Sequence, residues 1–338
     1  MPLDVATLGR LVGGAVLTRT EARDALSSVL DGAVEPLVIA SFLTAMAQRG
    51  ETVEEMAGFV DAMISASAAT EALPHAMDIV GTGGDRLHSV NISTMAALTV
   101  AACGVPVAKH GNRAASSSVG TADVLEGLGV KIDIDGAGVA ACVREAGMGF
   151  YFAQRFHPGL RHLGPIRRTL GFPTAFNVLG PLANPGQVAT LMIGVANEAM
   201  MSKMAAVLVA RGVQRATLVH SADGLDELSL GTSATLVHVD GSTISTETVD
   251  AGAVLGVRRS VDDIRGGELS LNVEVVNDFV AGQAGPVRDV VTANAGLALV
   301  TAGAAANLVD GYEMARAAVA SGGAAAVLSK LVETSNRF

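Results

Sequence analysis

The chain has 338 residues, half of them hydrophobic, so it can bury a large core and divide into two domains of roughly 100–200 residues each. Asp and Glu number 33 against 23 Lys and Arg, a formal net charge of −10. That balance argues against nucleic acid or an anionic membrane as partner, and it means that a phosphorylated ligand needs a local basic pocket or metal ions.

The first residues, MPLDVATLGR, show no basic segment followed by an apolar core, so no signal peptide is indicated. The first 70 residues read as entirely helical. Thr18 with Glu21, and Thr52 with Glu55, have capping-box spacing; Pro36 suits the opening of a helix and Gly50 its close. Leu37, Val38, Phe42, Leu43 and Met46 recur at helical spacing, a face suited to core packing or a subunit contact.

From Met77 short apolar runs alternate with helical stretches. Met77–Val80, Val105–Ala108, Gly149–Ala153, Ala189–Val195 and Ala216–His220 read as buried strands; Ser93–Cys103, Ala122–Leu128, Gly138–Ala146 and Glu198–Ala210 read as helices. The alternation predicts an α/β fold with a mostly parallel central sheet flanked by helices, its ligands gathered at the carboxyl ends of the strands. Met95 to Ala108, the longest apolar stretch, is too short to span a bilayer and is broken by Gly104 and Pro106. Cys103 and Cys142 lie in apolar helical stretches without metal-ligand spacing and read as buried free thiols, which suits a reducing cytoplasm.

Four segments carry chemistry. Val80-Gly81-Thr82-Gly83-Gly84-Asp85, with Asn91-Ile92-Ser93-Thr94 beyond it, reads as a strand ending in a glycine turn that feeds a helix N-terminus, an arrangement that binds anions. It is neither a dinucleotide fingerprint, since Arg86 occupies the third glycine position, nor a Walker loop, which needs Lys followed by Ser or Thr. Lys109 to Ser118 (KHGNRAASSS) crowds two cations, a histidine, an amide and three hydroxyls into ten residues, and reads as a mobile loop able to close over an anion. Asp226 and Glu227, in Gly224-Leu225-Asp226-Glu227, suit Mg²⁺ at a strand end, although acidic residues opening a helix would look the same. His157 and Arg167 precede FPTAFNVLGPLANP; Arg167 offers a bidentate grip on a carboxylate or phosphate, whereas Arg168 reads as a surface residue.

GTGGD, NIST, KHGNRAxSS, ADVLEGLG, FNVLGPLANP and GLDE stand in an order and spacing that resembles the anthranilate phosphoribosyltransferase family over nearly the whole chain. The resemblance implies a small all-helical domain (1–72, with a returning helical segment at about 160–186) and a larger α/β domain (73–159 and 187–338), with the active site in the cleft between them. It implies a homodimer built through the helical domain. The implied reaction transfers the 5-phosphoribosyl group from phosphoribosyl pyrophosphate to the amine of anthranilate, with two Mg²⁺ ions and no covalent nucleophile.

By the same resemblance, Gly81, Gly83, Gly84 and Asp85 form the donor turn, and Ser89, Asn91, Ser93, Thr94, Lys109 and Ser117 add contacts to the donor. Ser93, Asp226 and Glu227 match the metal positions. Gly81, His110, Asn112, His157, Arg167 and Gly180 match the anthranilate site. Four residues depart from the family pattern: Arg86 and Ser221 where glycine is common, Ser118 where lysine is common, and Pro173 where many members carry arginine. Pyrimidine nucleoside phosphorylase shares the implied fold and a glycine-rich turn but lacks GLDE and FNxLGPLxNP. A non-catalytic nucleic-acid-binding relative should carry a basic groove and a degraded metal site.

Overall fold

The computed structural model describes residues 3–113 and 119–338. Four helices, Val5–Val12, Arg19–Leu30, Pro36–Arg49 and Val53–Ser65, open the chain. Both capping boxes close: Thr18 accepts from Glu21 N and Thr52 from Glu55 N, while each glutamate reaches back to the cap backbone. Glu55 is fully buried because its other oxygen accepts from Leu17 N at 2.8 Å and Arg49 Nη2 at 2.6 Å, so one side chain both caps a helix and ties the bundle together. Gly50 ends its helix at φ +81°, where an L side chain would be strained. Phe42, Leu43 and Met46 are core, but Leu37 on the same helix is 78% exposed.

A seven-stranded sheet follows, with β1 (Met77–Gly81), β2 (Val107–Gly111), β3 (Met148–Phe152), β4 (Thr190–Gly194), β5 (Arg215–Ser221), β6 (Ala234–Asp240) and β7 (Thr243–Val249). The spatial order is β3-β2-β1-β4-β5-β6-β7, parallel through β5 and antiparallel beyond it. The hairpin β6–β7 adds two strands to the five expected. Its signal was present in Asp240-Gly241 between two runs rich in β-branched residues, with Gly241 at φ +57° in the turn.

Strand β2 starts two residues later than its apolar stretch suggests and ends three residues further, because Lys109 and His110 are accepted into the buried sheet by polar partners described below. The glycine turn leads to the expected helix, within one residue of its expected start. Residues 82–91 form the loop between them, and the helix starts at Ile92. That helix, Ile92–Ala102, is apolar on all sides and buried between the sheet and helices Pro286–Thr301 and Gly323–Ser335. Among the described residues no single helix is long and apolar enough to cross a membrane.

Between β3 and β4 the chain returns to the bundle through short helical turns. Pro158–His162 packs on helix Arg19–Leu30, Gly164–Leu170 on Pro36–Arg49, and Phe176–Leu179 on Val53–Ser65. The bundle is fixed to helix Met201–Ala210 and its C-cap by Asp61, which accepts from Arg19 Nε at 2.6 Å and Arg211 Nε at 3.2 Å. Arg211 also donates to Leu182 O at 3.2 Å, joining the return segment to the same point.

Candidate active site

The strand order turns back at β1. The chain proceeds outward from β1 to β2 and β3, then restarts on the other side with β4, so the carboxyl ends of β1 and β4 border the switch-point crevice where α/β sheets bind ligands. Gly81 and Gly194 are register partners at that end. Gly194 needs to be glycine, and Gly81 leaves room for the Asp226 side chain. A Cβ on Gly81 would come within 2.9 Å of Asp226 Oδ2, and one on Gly194 within 1.6 Å of the Asp226 carbonyl oxygen. Asp226 thereby closes on the turn, where its Oδ2 accepts from Gly83 N at 3.0 Å across 143 residues of sequence. Thr82 N donates to Gly194 O at 2.8 Å and Thr82 Oγ1 accepts from Ala196 N at 3.0 Å, which holds the turn on β4.

Carboxylate oxygens of Asp85, Asp226 and Glu227 all lie within 4.8 Å of one another. No helix opens at Asp226 and Glu227; they sit in the turns after β5. Burial and then the charge of Asp85 push the Asp226 carboxyl up to about 7, and burial with both neighbouring carboxylates pushes Glu227 well above the usual carboxylate range. Asp85 Oδ2 and Glu227 Oε2 are buried without a hydrogen-bond partner. Three converging oxygens, mutual repulsion and two orphaned acceptors are what a hard divalent cation relieves, so these residues fit Mg²⁺. A cavity of about 10 Å³, room for roughly one water molecule, is lined by Glu227 with Gly81, Ser93 and Asn294. Ser221, a departure from the family pattern, anchors the carboxylate loop: its hydroxyl donates to Glu227 O at 2.7 Å and accepts from Ser229 N at 2.9 Å.

Lys109 does not belong to a mobile loop. It is buried in β2, its ammonium donating to Ile79 O and, at 3.2 Å, to Ser93 Oγ. Burial pulls it down to about 8, with Asp78 and Glu227 opposing that fall. Arg113, the loop's other cation, is taken by Asp123 at 2.7 Å and Glu126 at 2.5 Å and lies over the Phe152 ring. Ser117 and Ser118 lie outside the described residues.

Of the other expected donor contacts, Gly83 and Gly84 carry φ of +63° and +89° and are exposed at the turn. Ser89 pairs with Arg265 in an isolated bridge, and Asn91 caps helix Ile92–Ala102 without a side-chain bond to it. Ser93 is half-buried; Thr94 is fully buried, its hydroxyl 3.5 Å from Thr121 Oγ1.

His110 and His157 are both buried, with ring centroids 5.2 Å apart. His110 Nδ1 lies 3.2 Å from Gly180 O and therefore carries the proton, leaving Nε2 a bare acceptor with no partner. Burial, reinforced by His157, pushes His110 down to about 3, and burial lowers His157, whose Nε2 donates to Ala183 O at 3.0 Å. This wall is neutral and suits an aromatic ring. Arg167 donates to Asn177 Oδ1 at 3.1 Å and stacks over Phe176 at 5.7 Å, while Asn112 is exposed at the end of β2. Pro173 is exposed and nothing in the structure explains it.

Sequence reasoning missed three residues that fix this geometry. Asp78 accepts from His110 N at 3.0 Å and Asn184 Nδ2 at 2.8 Å, and Asn184 donates again to Ala108 O at 2.7 Å. Burial pushes Asp78 up to about 6 despite Lys109. Its signal was a lone charge in the strand Met77–Gly81; Gly194 was signalled only by ending β4 as Gly81 ends β1.

Residues 73–325 match the α/β domain of a glycosyl transferase family and residues 5–67 its helical bundle domain. The chain is 48% identical over 98% of its length to the anthranilate phosphoribosyltransferase of Thermomicrobium roseum, of which it covers 97%. The crystal structure of the anthranilate phosphoribosyltransferase from Thermus thermophilus superposes with a TM-score of 0.90 at 36% identity, covering 97% of this chain and 99% of that one. The Saccharomyces cerevisiae enzyme in complex with PRPP and Mg gives 0.89 at 25% identity, covering 99% of each.

Proposed function

This chain belongs to the anthranilate phosphoribosyltransferase family and is a pentosyltransferase, and from that premise we propose that it transfers the 5-phosphoribosyl group of phosphoribosyl pyrophosphate to the amine of anthranilate. The products are N-(5-phosphoribosyl)anthranilate and pyrophosphate, the second step of tryptophan biosynthesis from chorismate. The observation that carries the reading is the approach of Asp85, Asp226 and Glu227 to one another beside a glycine turn at the sheet's switch point. A yeast relative binds PRPP and Mg, which supports the same ligands here.

Departing pyrophosphate accumulates negative charge and ribose C1 becomes cationic, so the protein's task is to hold charge and align two reactants. Gly84, exposed at the turn, presents its backbone to the pyrophosphate while Gly83 N is held by Asp226, and Ser93, steadied by Lys109, lies at the base of the loop. Asp85, Asp226 and Glu227 would hold Mg²⁺, which when bound offsets charge on the leaving group. Arg167, over the Phe176 ring, offers its guanidinium to the anthranilate carboxylate, and the neutral His110–His157 wall receives the ring. His110 Nε2 supplies an acceptor without a charge of its own, which suits an aromatic amine of low basicity.

The remaining parts of the reading concern assembly. We place the domain boundaries at 1–72 with 160–186, and at 73–159 with 187–338. Exposed Val5 and Leu37 on the bundle support it as the homodimer face, and the two free cysteines suit a cytoplasmic location.

The test mixes the protein with phosphoribosyl pyrophosphate, Mg²⁺ and anthranilate and follows loss of anthranilate fluorescence. Absence of loss, with phosphorolysis of uridine or thymidine instead, rejects the reading. Light scattering of the purified protein at twice the monomer mass is the result expected for the dimer.

A further inference from the structure

Backbone φ is positive at Gly84 (+89°), Arg86 (+62°) and His88 (+55°) and not at Asp85 or Leu87 between them. Such alternation turns backbone N–H groups toward one side of a segment, a shape that receives anions, with Leu87 N here already donated to Asp85 Oδ1 at 3.2 Å. At Arg86 the conformation is costly, since an arginine in the left-handed region has none of the local hydrogen bonds that ease Asn or Asp there. The fold imposes it: Gly266 N donates to His88 O at 2.7 Å, Val90 N to Ile264 O at 3.0 Å, and Ser89 pairs with Arg265. A Cβ on Gly266 would stand 2.9 Å from Ser89 O, so the two segments are in close contact.

Nothing within the described residues compensates for arginine at this point. Its side chain is exposed and has no hydrogen bond, ion pair or ring contact there, as is also true of Arg161 and Arg168. Glycine has no such conformational cost. Arg86 also follows directly on Asp85 of the carboxylate cluster, in a chain whose net charge is −10.

We propose that Arg86 is a substrate-binding residue whose guanidinium grips the pyrophosphate end of the phosphoribosyl donor. The inference rests on the functional reading above and deepens it by naming a cation at the donor turn. Arg86 acts in donor affinity and takes no part in bond breaking.

The test titrates phosphoribosyl pyrophosphate with Mg²⁺ into the full-length wild type, Arg86→Gly and Arg86→Lys by calorimetry at low salt, beside thermal melts. The expected result is a Kd raised about tenfold in Arg86→Gly and partly restored in Arg86→Lys, the scale of one charge-assisted contact discounted for exposure. Arg86→Gly should also melt no lower than wild type, since it relieves backbone strain, and raised NaCl should narrow the difference in Kd. Equal Kd values for wild type and Arg86→Gly, within twofold, overturn the proposal while leaving the functional reading intact. A wild type that does not bind the donor at all overturns both.

Discussion

The carbonyl oxygen of Asp226 occupies the place where a side chain at Gly194 would begin, 1.6 Å from an ideal Cβ. Gly194→Ala therefore forces the end of β4 and the carboxylate loop apart. We expect a loss of about 3 kcal/mol in urea unfolding, the upper range for overpacking against backbone. Gly81→Ala meets the Asp226 side chain at 2.9 Å and should depress turnover more than stability. Wild-type stability in Gly194→Ala would show that the contact is looser than described.

Removing charge from the cluster should change metal dependence. Asp226→Asn combined with Glu227→Gln is expected to raise the Mg²⁺ concentration for half-maximal turnover at least tenfold, about 1.4 kcal/mol or more. Asp85→Asn should move it in the same direction, because its oxygen belongs to the same group. An unchanged Mg²⁺ titration in all variants removes these residues from the metal site.

His110 gives a pH dependence with a definite sign. Its folded pKa of about 3 lies below the ordinary 6.5, so its contribution is fully present above 6.5 and is lost as pH falls from there toward 3. The slope is at most about 1.4 kcal/mol per pH unit. Asp78, raised to about 6, opposes it: its contribution is present at low pH and lost as pH rises from 3.8 through 6. The difference in unfolding free energy between wild type and His110→Asn isolates the histidine, and it should shift in the variant's favour as pH drops from 6.5 to 4. A flat difference contradicts the buried neutral imidazole.

Ser221→Ala leaves Glu227 O and Ser229 N without their hydroxyl partner in a fully buried place. The expected cost is about 1–3 kcal/mol in stability, with weaker Mg²⁺ activation because the loop carrying Glu227 loosens. Chemical denaturation and a Mg²⁺ titration read the two effects separately.

Arg167→Lys keeps the charge but loses the planar fork and the stacking on Phe176. KM for anthranilate should rise about tenfold or more while KM for the phosphoribosyl donor stays within twofold, the scale of a charged hydrogen bond. Equal effects on both substrates would move Arg167 out of the acceptor site.

Short-range patterns determined much of this protein. Thr18–Glu21 and Thr52–Glu55 specify helix starts within four residues, alternating apolar runs specify five parallel strands, and GTGGD marks the donor turn because its glycines permit left-handed backbone. Each depends on neighbours along the chain, where spacing is visible. The β6–β7 hairpin was legible but weaker, since β7 is an exposed edge strand with little apolar content.

Tertiary structure alone decided which charges meet. Asp85 joins Asp226 and Glu227 only because the sheet places the ends of β1 and β5 around β4, and the bond from Gly83 to Asp226 spans 143 residues. Lys109 looks like a surface cation in sequence, yet it is buried where Asp78, Ser93 and Ile79 O supply compensating charge and acceptors. Burial and electrostatic partnership are sums over residues distant in sequence, and no local spacing encodes them.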